Sequence, residues 1–484
     1  MPEEPLRVLF AAPECAPLVK TGGLGDVCAS LPVALRRLGV DVRLMLPAYP
    51  GFKGVLQARR EGMPLPALGG FPAAQVVRAM LPGGLPAFLV DCPALYERPG
   101  GPYQDEHGRD WDDNPIRFAL LARAAALVAT SPPDWRAQLV HCNDWQTALA
   151  PAYLAFGATP RPATVITVHN LAFQGIFPPP VLARLGLPPE SFSIDGVEFH
   201  GQVSFLKAGL QYADAITTVS PSYAREIRQA PLGFGLEGLL QRRSAVLSGI
   251  LNGIDVELWN PATDPLIERR YDAANLHRKT DNKAALQACT GLAREPAVPL
   301  IGVVSRLTQQ KGLDFLLEAA AGLLRLPAQL VVLGTGEAQL EYAFRELARA
   351  HPRQVSVTLA FDEPLAHRIE AGADLFAMPS RFEPCGMNQM YSQRYGTIPV
   401  VRATGGLADS VIDCTPTTLA NGSASGFLFE TASAPALLAA IERALAAYRE
   451  PALWQRLQRQ AMARDFGWDA SARAYAALYA RIAS

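Results

Sequence analysis

The stretch LRVLFAAPECAPLVKTGGLGDVCASLPVALRRLG, residues 6–39, has the pattern of a strand, a glycine-rich loop and a helix. Its first run is apolar throughout and does not alternate, which is typical of a parallel strand buried on both faces. The run after the loop, VCASLPVALRRLG, has helical spacing. The same order of strand, loop and helix recurs along the chain, so the sequence predicts an α/β protein with doubly wound parallel sheets.

Further apolar runs predict the remaining strands of these sheets. Helical stretches such as NPIRFALLARAAALVA (114–129) and SAPALLAAIERALAAYRE (433–450) lie between them. The runs are RAQLVHCND (136–144), PATVITVHN (162–170) and DAITTVS (214–220) in the first half, and PLIGVVSRL (299–307), QLVVLG (329–334), VSVTLAF (355–361), DLFAMPS (374–380) and TIPVVRA (397–403) in the second half.

The length of 484 residues exceeds that of an ordinary single core and predicts two domains. A segment rich in Gly, Asn and Pro, residues 248–264, marks the expected join. We therefore expect an N-terminal Rossmann-like domain over residues 1–250 and a C-terminal Rossmann-like domain over residues 251–464. Residues 465–484 form a last helix, alanine-rich and aromatic, which needs a surface to pack on.

Composition excludes several classes of function. The formal net charge is −1, so nothing predicts a general attraction to nucleic acid or to an anionic membrane. No apolar run is long enough to span a bilayer, and the acidic start MPEEPLRVLFAAPE lacks the basic region of a signal peptide. The seven cysteines are scattered, which favours reduced thiols in a cytoplasmic protein over disulfides or a zinc site.

The loop KTGGLGD can bring backbone N–H groups and Lys20 against an anion, with the following helix adding its positive N-terminus. Its spacing matches neither a P-loop nor a dinucleotide fingerprint, because Cys28 occupies the position of the third glycine. The alternative is a tight strand-to-helix turn with a surface lysine, and the loop alone does not decide between the two.

Two loops of the second half carry charged residues at predicted strand ends. Arg306 and Lys311 flank the loop in SRLTQQKG, where two cations suit a diphosphate; the alternative is a solvated loop. In SRFEPCGMNQ, Glu383 can accept hydrogen bonds from sugar hydroxyls, or it can be a carboxylate favoured by a helix N-terminus. Cys385 is more typical of a packing residue than of a nucleophile, since no base accompanies it.

Polar residues also end two strands of the first half. His141 and Asp144, in HCNDW, and His169 and Asn170, in TVHN, are candidates to bind a polar ligand. His169 is open to three interpretations: a general base, a polar contact or a core histidine. No spacing predicts a metal site. The acidic run at residues 110–113 precedes a predicted helix, so we interpret it as an N-terminal cap.

Taken together, these motifs closely resemble the bacterial glycogen synthase and starch synthase family, glycosyltransferase family 5, over nearly the whole chain. The motifs are PECAPLVKTGGLGDV (13–27), RPGGPYQDEHG (98–108), HCNDWQTALAPAYL (141–154), TVHNLAFQGIFP (167–178), EFHGQVSFLKAGLQYADAITTVSPSYAREI (198–227), GILNGIDVELWNPATD (249–264), SRLTQQKGLDFL (305–316), LGTGE (333–337), SRFEPCGMNQMYSQRYGTIPVVRATGGLADSV (380–411) and FGWDASARAYAALY (466–479).

The resemblance implies the GT-B architecture, in which two Rossmann-like domains face each other across a cleft and the last helix crosses back to the first domain. It implies transfer of glucose from ADP-glucose to the non-reducing end of an α-1,4-glucan, glycogen or a maltooligosaccharide, with retention at the anomeric carbon. ADP-glucose is then a co-substrate, and no cofactor or metal is implied. Relatives are described as using same-face attack within an ion pair.

The resemblance also implies roles for individual residues. The catalytic set is Arg306 and Lys311 on the leaving diphosphate, Glu383 on the glucose, and His169 beside the transferred sugar. The implied substrate-binding set is Lys20, Gly23, Asp26, Tyr103, Asp144, Asn170, Asn252, Cys385, Gly386, Met387 and Asn388.

Departures from the wider GT-B group are small. Tyr391 stands where many members of that group have a second glutamate, and Asn388 stands where some relatives have threonine. There are four alternatives to an ADP-glucose transferase. UDP-glucose as donor is not excluded by these loops. A pyridoxal-dependent phosphorylase and a dehydrogenase lack their motifs. A non-catalytic glucan-binding scaffold predicts loss of charged residues that are all present here. The oligomeric state is not predicted.

Overall fold

The computed structural model of the chain describes residues 4–52, 54, 62–131, 134–157 and 159–483. Contacts between residues divide it into two compact units. The first unit contains Met1–Gly253 and Trp468–Ser484, and the second contains Ile254–Gly467. Each unit has its own hydrophobic core.

The first unit is built on a nine-stranded sheet and a small three-stranded sheet. Its strands are β1 (Arg7–Ala11), β2 (Asp41–Pro47), β3 (Met63–Leu65), β4 (Ala74–Leu81), β5 (Leu85–Asp91), β6 (Leu139–Asn143), β7 (Ala163–Val168), β8 (Ile176–Phe177), β9 (Glu198–Phe199), β10 (Gln202–Ser204), β11 (Ala215–Thr218) and β12 (Leu247–Gly249). The large sheet has the order β12-β11-β7-β6-β1-β2-β5-β4-β3, and β8-β10-β9 form the small one. Strands of the large sheet pair in parallel except around β4, which is antiparallel to β3 and β5.

Helices follow most of these strands, as the sequence pattern predicts. They are α1 (Gly23–Arg37), α2 (Pro93–Tyr96), α3 (Asn114–Thr130), α4 (Leu149–Ala155), α5 (Leu182–Leu185), α6 (Phe205–Tyr212), α7 (Pro221–Glu226) and α8 (Glu237–Arg242). Helix α3 is buried around most of its circumference because it packs on β1, β2 and β6 at the centre of the sheet. This explains why its sequence is apolar on every face.

The second unit is a six-stranded parallel sheet with the order β15-β14-β13-β16-β17-β18. Its strands are β13 (Leu300–Val304), β14 (Gln329–Leu333), β15 (Val355–Thr358), β16 (Leu375–Met378), β17 (Ile398–Arg402) and β18 (Phe427–Phe429). Its helices are α9 (Lys279–Cys289), α10 (Leu313–Leu323), α11 (Ala338–Ala350), α12 (Glu363–Gly372), α13 (Asn388–Arg394), α14 (Gly405–Ser410), α15 (Pro416–Ala420), α16 (Ala434–Tyr448) and α17 (Pro451–Met462). No helix in the described part of the chain is long and apolar enough to cross a membrane.

The last helix of the chain, α18 (Trp468–Ala483), belongs to the first unit and packs against α1. Its buried Tyr479 hydroxyl lies 2.5 Å from Nδ1 of His141, and Nε2 of the same imidazole lies 2.5 Å from the Thr167 hydroxyl. Thr167 in turn contacts Thr217 on the neighbouring strand β11, with 2.5 Å between the hydroxyl oxygens. These hydrogen bonds tie the helix to three adjacent strands of the sheet.

Two interpretations of the sequence are corrected here. His141 is not available to a ligand, because it is fully buried and both ring nitrogens are hydrogen-bonded; burial lowers its pKa to about 3. Asp113 precedes α3, but its side chain makes no capping hydrogen bond. Its carboxylate instead binds both terminal nitrogens of Arg98, at 2.8 and 2.5 Å, since a bidentate guanidinium is a stronger partner than a backbone N–H.

We expect Tyr479→Phe to lower the free energy of unfolding by about 1–3 kcal/mol, because it leaves a buried ring nitrogen of His141 without a partner. Urea unfolding monitored by circular dichroism would measure the loss. Tyr342→Phe is the matched control, since Tyr342 is 63% exposed and should tolerate removal of its hydroxyl. Equal midpoints for the two variants would contradict the structural role of the Tyr479 hydroxyl.

Candidate active site

The glycine-rich loop of the first unit leads from β1 into α1, which begins at Gly23 with the extended residue Gly22 before it. Lys20 is exposed, and its Nζ lies 2.8 Å from Oδ1 of Asp26 in the first turn of the helix. The first N–H groups of a helix have no partner within it, and they add positive potential at this end. The loop thus places a cation and a helix N-terminus side by side.

Asp144 and His169 meet where β6 and β7 end, because these strands are neighbours in the sheet. Asp144 has a φ of +55° and turns its carboxylate back, so that Oδ1 accepts the backbone N–H of His169 at 2.6 Å. The Asn170 N–H also donates to this carboxylate. Burial raises the pKa of Asp144 to about 7, although both hydrogen bonds oppose the shift. Asp144 therefore fixes the loop that carries the other two residues.

His169 is half-buried and neutral, since burial lowers its pKa to about 3. Its Nε2 lies 3.0 Å from Oδ1 of Asn143, whose amide is oriented by a 3.0 Å hydrogen bond from Nδ2 to the Ala11 carbonyl. The amide oxygen accepts, so Nε2 carries the proton and Nδ1 carries the lone pair. This tautomer makes His169 a fixed polar contact and a weak base at neutral pH.

Two further residues of the substrate-binding set lie in this unit. Tyr103 is half-buried and packs its ring on Phe118, with 5.8 Å between centroids. Asn252 is 6% exposed, and its Oδ1 has no hydrogen-bond partner among the described residues. The preceding carbonyl, of Leu251, accepts a hydrogen bond from Ser471 of α18 at 2.5 Å. A buried amide oxygen without a partner is costly, and a ligand hydroxyl would satisfy it.

In the second unit, Lys311 and Glu383 form a buried ion pair where β13 and β16 end side by side. The Nζ of Lys311 lies 2.6 Å from Oε2 of Glu383, and the Ser380 hydroxyl donates to the same oxygen at 3.0 Å. The exposed fractions of the Lys311 and Glu383 side chains are only 19% and 6%. Arg306, on the loop after β13, is exposed. An ammonium has three donors, so the ion pair leaves Lys311 able to bind an anion.

The loop after Glu383 is held by close backbone approaches. Gly405 has a φ of +44°, and a Cβ there would lie 2.0 Å from the Glu383 carbonyl oxygen. A Cβ on Gly406 would lie 2.1 Å from the Cys385 carbonyl oxygen. Glycine is therefore required at both positions, and the Gly406 N–H donates to the Glu383 carbonyl at 3.0 Å.

Four neighbouring members of the substrate-binding set complete this loop: Cys385, Gly386, Met387 and Asn388. Cys385 is buried, Gly386 has a φ of +68°, and Met387 precedes α13. Asn388 donates from Nδ2 to the Val304 carbonyl at 2.6 Å, which joins the loop to β13. No cluster of three or more His, Cys, Asp or Glu side chains suited to a metal ion occurs in the described ranges.

The structure also identifies site neighbours to which the sequence assigned no role. Asn143 sets the tautomer of His169, Ser380 supports Glu383, and Gly405 and Gly406 shape the loop. Asn143 directly precedes Asp144 at a predicted strand end, and the paired glycines follow another strand. Their positions at strand ends could have identified Asn143 and the two glycines from the sequence. A lone serine such as Ser380 carries no comparable signal.

Comparison with known proteins gives matches over both units. A family model described as the starch synthase catalytic domain matches residues 7–242, and one described as glycosyl transferases group 1 matches residues 292–461. The chain is 56% identical to a glycogen synthase of Aromatoleum aromaticum, over 98% of this chain and 96% of that protein. It is 54% identical to a glycogen synthase of Nitrosomonas eutropha, over 99% and 96% respectively.

Solved structures agree with this result. The catalytic domain of starch synthase IV from Arabidopsis thaliana, bound to ADP and acarbose, superposes with a TM-score of 0.87 and 34% identity, covering 99% of each chain. A sucrose-phosphate synthase from Thermosynechococcus elongatus has a TM-score of 0.58 and 17% identity over 98% of each chain, which shows a shared fold only. The fold class expected from the sequence, GT-B with two Rossmann-like sheets, is confirmed.

We expect Asp144 to make stability depend on pH in the acid-to-neutral range. The unfolded chain releases this proton near pH ~4, whereas the folded chain keeps it until about pH 7, so stability falls as the pH rises through this interval. Asp144→Asn keeps an oxygen for the His169 N–H and removes the titration. The Tm of the wild type, relative to that of Asp144→Asn, should therefore decrease as the pH rises from 4.5 to 7.5.

Asp214→Asn is the control for this measurement by scanning calorimetry. Burial acts to raise the pKa of Asp214, but hydrogen bonds from Arg161 and Thr164 outweigh it and lower the pKa below its ordinary value. Its contribution is lost only in more acidic solution, so the difference in Tm from the wild type should stay constant over the same interval. A constant difference for Asp144→Asn as well would contradict the raised pKa of Asp144.

Proposed function

The chain belongs to the glycogen synthase family of glycosyltransferases, and from this membership we propose that it transfers glucose from ADP-glucose to the non-reducing end of an α-1,4-glucan, with retention at the anomeric carbon. The observation that carries the proposal is the match, over 99% of the chain, to a starch synthase bound to ADP and acarbose. The ADP in that complex supports an adenine nucleotide as the leaving group here, and the acarbose supports an oligosaccharide acceptor.

The chemistry requires stabilisation of the diphosphate as the bond to glucose breaks. We assign this role to Arg306 and Lys311, which supply one exposed and one preorganised cation at the end of β13. Loss of a preorganised donor of this kind costs ~10²–10³ in rate. Because Lys311 is already held by Glu383, its ammonium needs little reorganisation to meet the developing charge.

The remaining site residues are assigned to the sugar and to the donor. The buried carboxylate of Glu383 accepts hydrogen bonds from glucose hydroxyls. His169 contacts the transferred sugar as a neutral imidazole. Asp144 and Asn252 are also assigned to sugar binding; the buried Oδ1 of Asn252, which has no partner among the described residues, supports this role. Lys20 contacts the donor, and its pairing with Asp26 holds it near the start of α1.

The other assignments follow the same division. Gly23 and Asn170 present backbone or amide groups to the substrates, Tyr103 is a further substrate contact, and the loop of residues 385–388 surrounds the glucose. The proposal includes a cytoplasmic location, which is supported by seven cysteines that are all free thiols.

We expect the wild type to release ADP from ADP-glucose only when glycogen is present, and to retain little activity with UDP-glucose. Arg306→Ala and Lys311→Ala should each lower kcat by ~10²–10³, since each removes a cation from the leaving group. Glu383→Ala should lower it at least as far, because it also leaves Lys311 without its buried partner. A coupled assay for nucleoside diphosphate measures all of these rates.

Arg325→Ala is the matched control, because Arg325 is also an exposed arginine of the second unit. It should retain the wild-type kcat. If the wild type released UDP from UDP-glucose faster than ADP from ADP-glucose, UDP-glucose would replace ADP-glucose as the proposed donor. If a folded wild type bound glycogen but released diphosphate from neither donor, the enzyme would be excluded and a non-catalytic glucan-binding scaffold would remain.

A further inference from the structure

Glu14 is a buried acid beside the candidate active site to which no role has yet been given. It follows β1 and is 2% exposed. Its Oε2 accepts two hydrogen bonds from one residue of the glycine-rich loop, at 2.6 Å from the Thr21 backbone nitrogen and at 2.8 Å from the Thr21 hydroxyl. Thr21 is the residue directly after Lys20, so this double contact fixes the backbone that carries the lysine.

A second loop reaches the same carboxylate. The Tyr103 hydroxyl interacts with both Glu14 and Thr21. The backbone of Tyr103 is held from α3, since its carbonyl accepts Nδ2 of Asn114 at 2.9 Å. The Oδ1 of Asn114 in turn accepts a 2.6 Å hydrogen bond from the buried guanidinium of Arg117. Glu14 thus joins the glycine-rich loop to a residue whose position is fixed independently by the core of the unit.

We propose that Glu14 is a positioning residue for donor binding: by holding Thr21 it sets the direction of Lys20, and through Tyr103 it links the glycine-rich loop to the loop that carries this tyrosine. The inference rests on the proposed function, from which it takes the role of Lys20. Glu14 itself need not touch either substrate, because its buried Oε2 is occupied by Thr21.

The burial of Glu14 favours a positioning role over direct contact with a substrate as a free carboxylate. Desolvation raises the pKa of Glu14 to about 7, while the hydrogen bonds from Thr21 and Tyr103 oppose the shift and the Asp26 carboxylate adds to it. A buried acid of this kind is costly unless its hydrogen bonds are made. The contacts that satisfy Glu14 are therefore also the contacts that order the loop.

The same unit contains a matched clamp far from the site. Oδ2 of Asp214 accepts two hydrogen bonds from Thr164, one from its backbone N–H and one from its hydroxyl, each with 2.8 Å between donor and acceptor. Thr164 lies at the start of β7, whereas the candidate site lies where the parallel strands end. Asp214→Ala therefore removes a comparable carboxylate–threonine clamp, together with the ion pair to Arg161, without touching the donor loop.

The test measures KM for ADP-glucose, kcat, the Kd of ADP by calorimetry, and Tm. Glu14→Ala should raise KM and Kd about tenfold or more, with kcat changed less than KM, because Lys20 is displaced from the donor. Glu14→Gln keeps an oxygen for Thr21 and should remain within about threefold of the wild type. Asp214→Ala should lower Tm and leave KM and Kd unchanged.

A double-mutant cycle separates positioning from general stability. Thr21→Val removes the hydroxyl and keeps the backbone N–H, so it should raise KM by itself but add little in the Glu14→Ala background. If Glu14→Ala does not fold, Thr21→Val and Glu14→Gln carry the test. The inference is overturned if Glu14→Ala binds ADP as the wild type does, or if Asp214→Ala raises KM equally. A wild type that binds no ADP would overturn the proposed function together with it.

Discussion

In both units the strands that carry the candidate site run parallel, so their carboxyl ends meet at one edge of the sheet. This constraint selects which distant residues become neighbours. Strands β13 and β16 pair directly, and their following loops bring Lys311 and Glu383 within 2.6 Å. In the same way β6 and β7 pair, and Asp144 then accepts the backbone N–H of His169. The chemistry of the site is thus a consequence of strand order more than of any single loop.

Because these strand ends are covered by following loops and helices, the polar groups there are partly or fully removed from water. Each of them is stabilised by a partner within its own unit: Lys311 by Glu383, Asp144 by the loop after β7, and Glu14 by Thr21. Such contacts offset desolvation and contribute little net stability. Their main effect is to remove conformational freedom from the loops that carry the candidate site residues, and a preorganised site needs less reorganisation during catalysis.

The sequence predicted the parts of the fold that depend on local patterns. Uninterrupted apolar runs identified strands such as β6 and β13, because buried parallel strands need no polar face. Contacts between distant residues were not predictable in this way. Lys311 and Glu383 were assigned separate roles, and only the strand order shows that they form one ion pair.

His141 and Asp113 show the same limit from the other side. The position of His141 at the end of a predicted strand favours ligand binding, yet β6 is buried at every residue and the packing of α18 places His141 in the core. Asp113 had the right position for a cap, but an arginine 15 residues earlier provides a better partner. The roles of the site residues depend on substrates, and for this reason they remain predictions.

The distribution of charge gives the two units different electrostatic character. In the first, burial keeps His169 neutral and raises the pKa of both Asp144 and Glu14 to about 7, while Lys20 is offset by Asp26. In the second, Lys311 is offset by Glu383, whereas the exposed Arg306 has no ion-pair partner among the residues that the structure describes. A leaving diphosphate is stabilised by nearby positive charge, and a sugar with developing cationic character is stabilised by nearby negative charge and hydrogen-bond acceptors. Replacing either Arg306 or Lys311 by alanine removes one positive charge from this edge, and replacing Lys311 also leaves the buried Glu383 carboxylate without its partner.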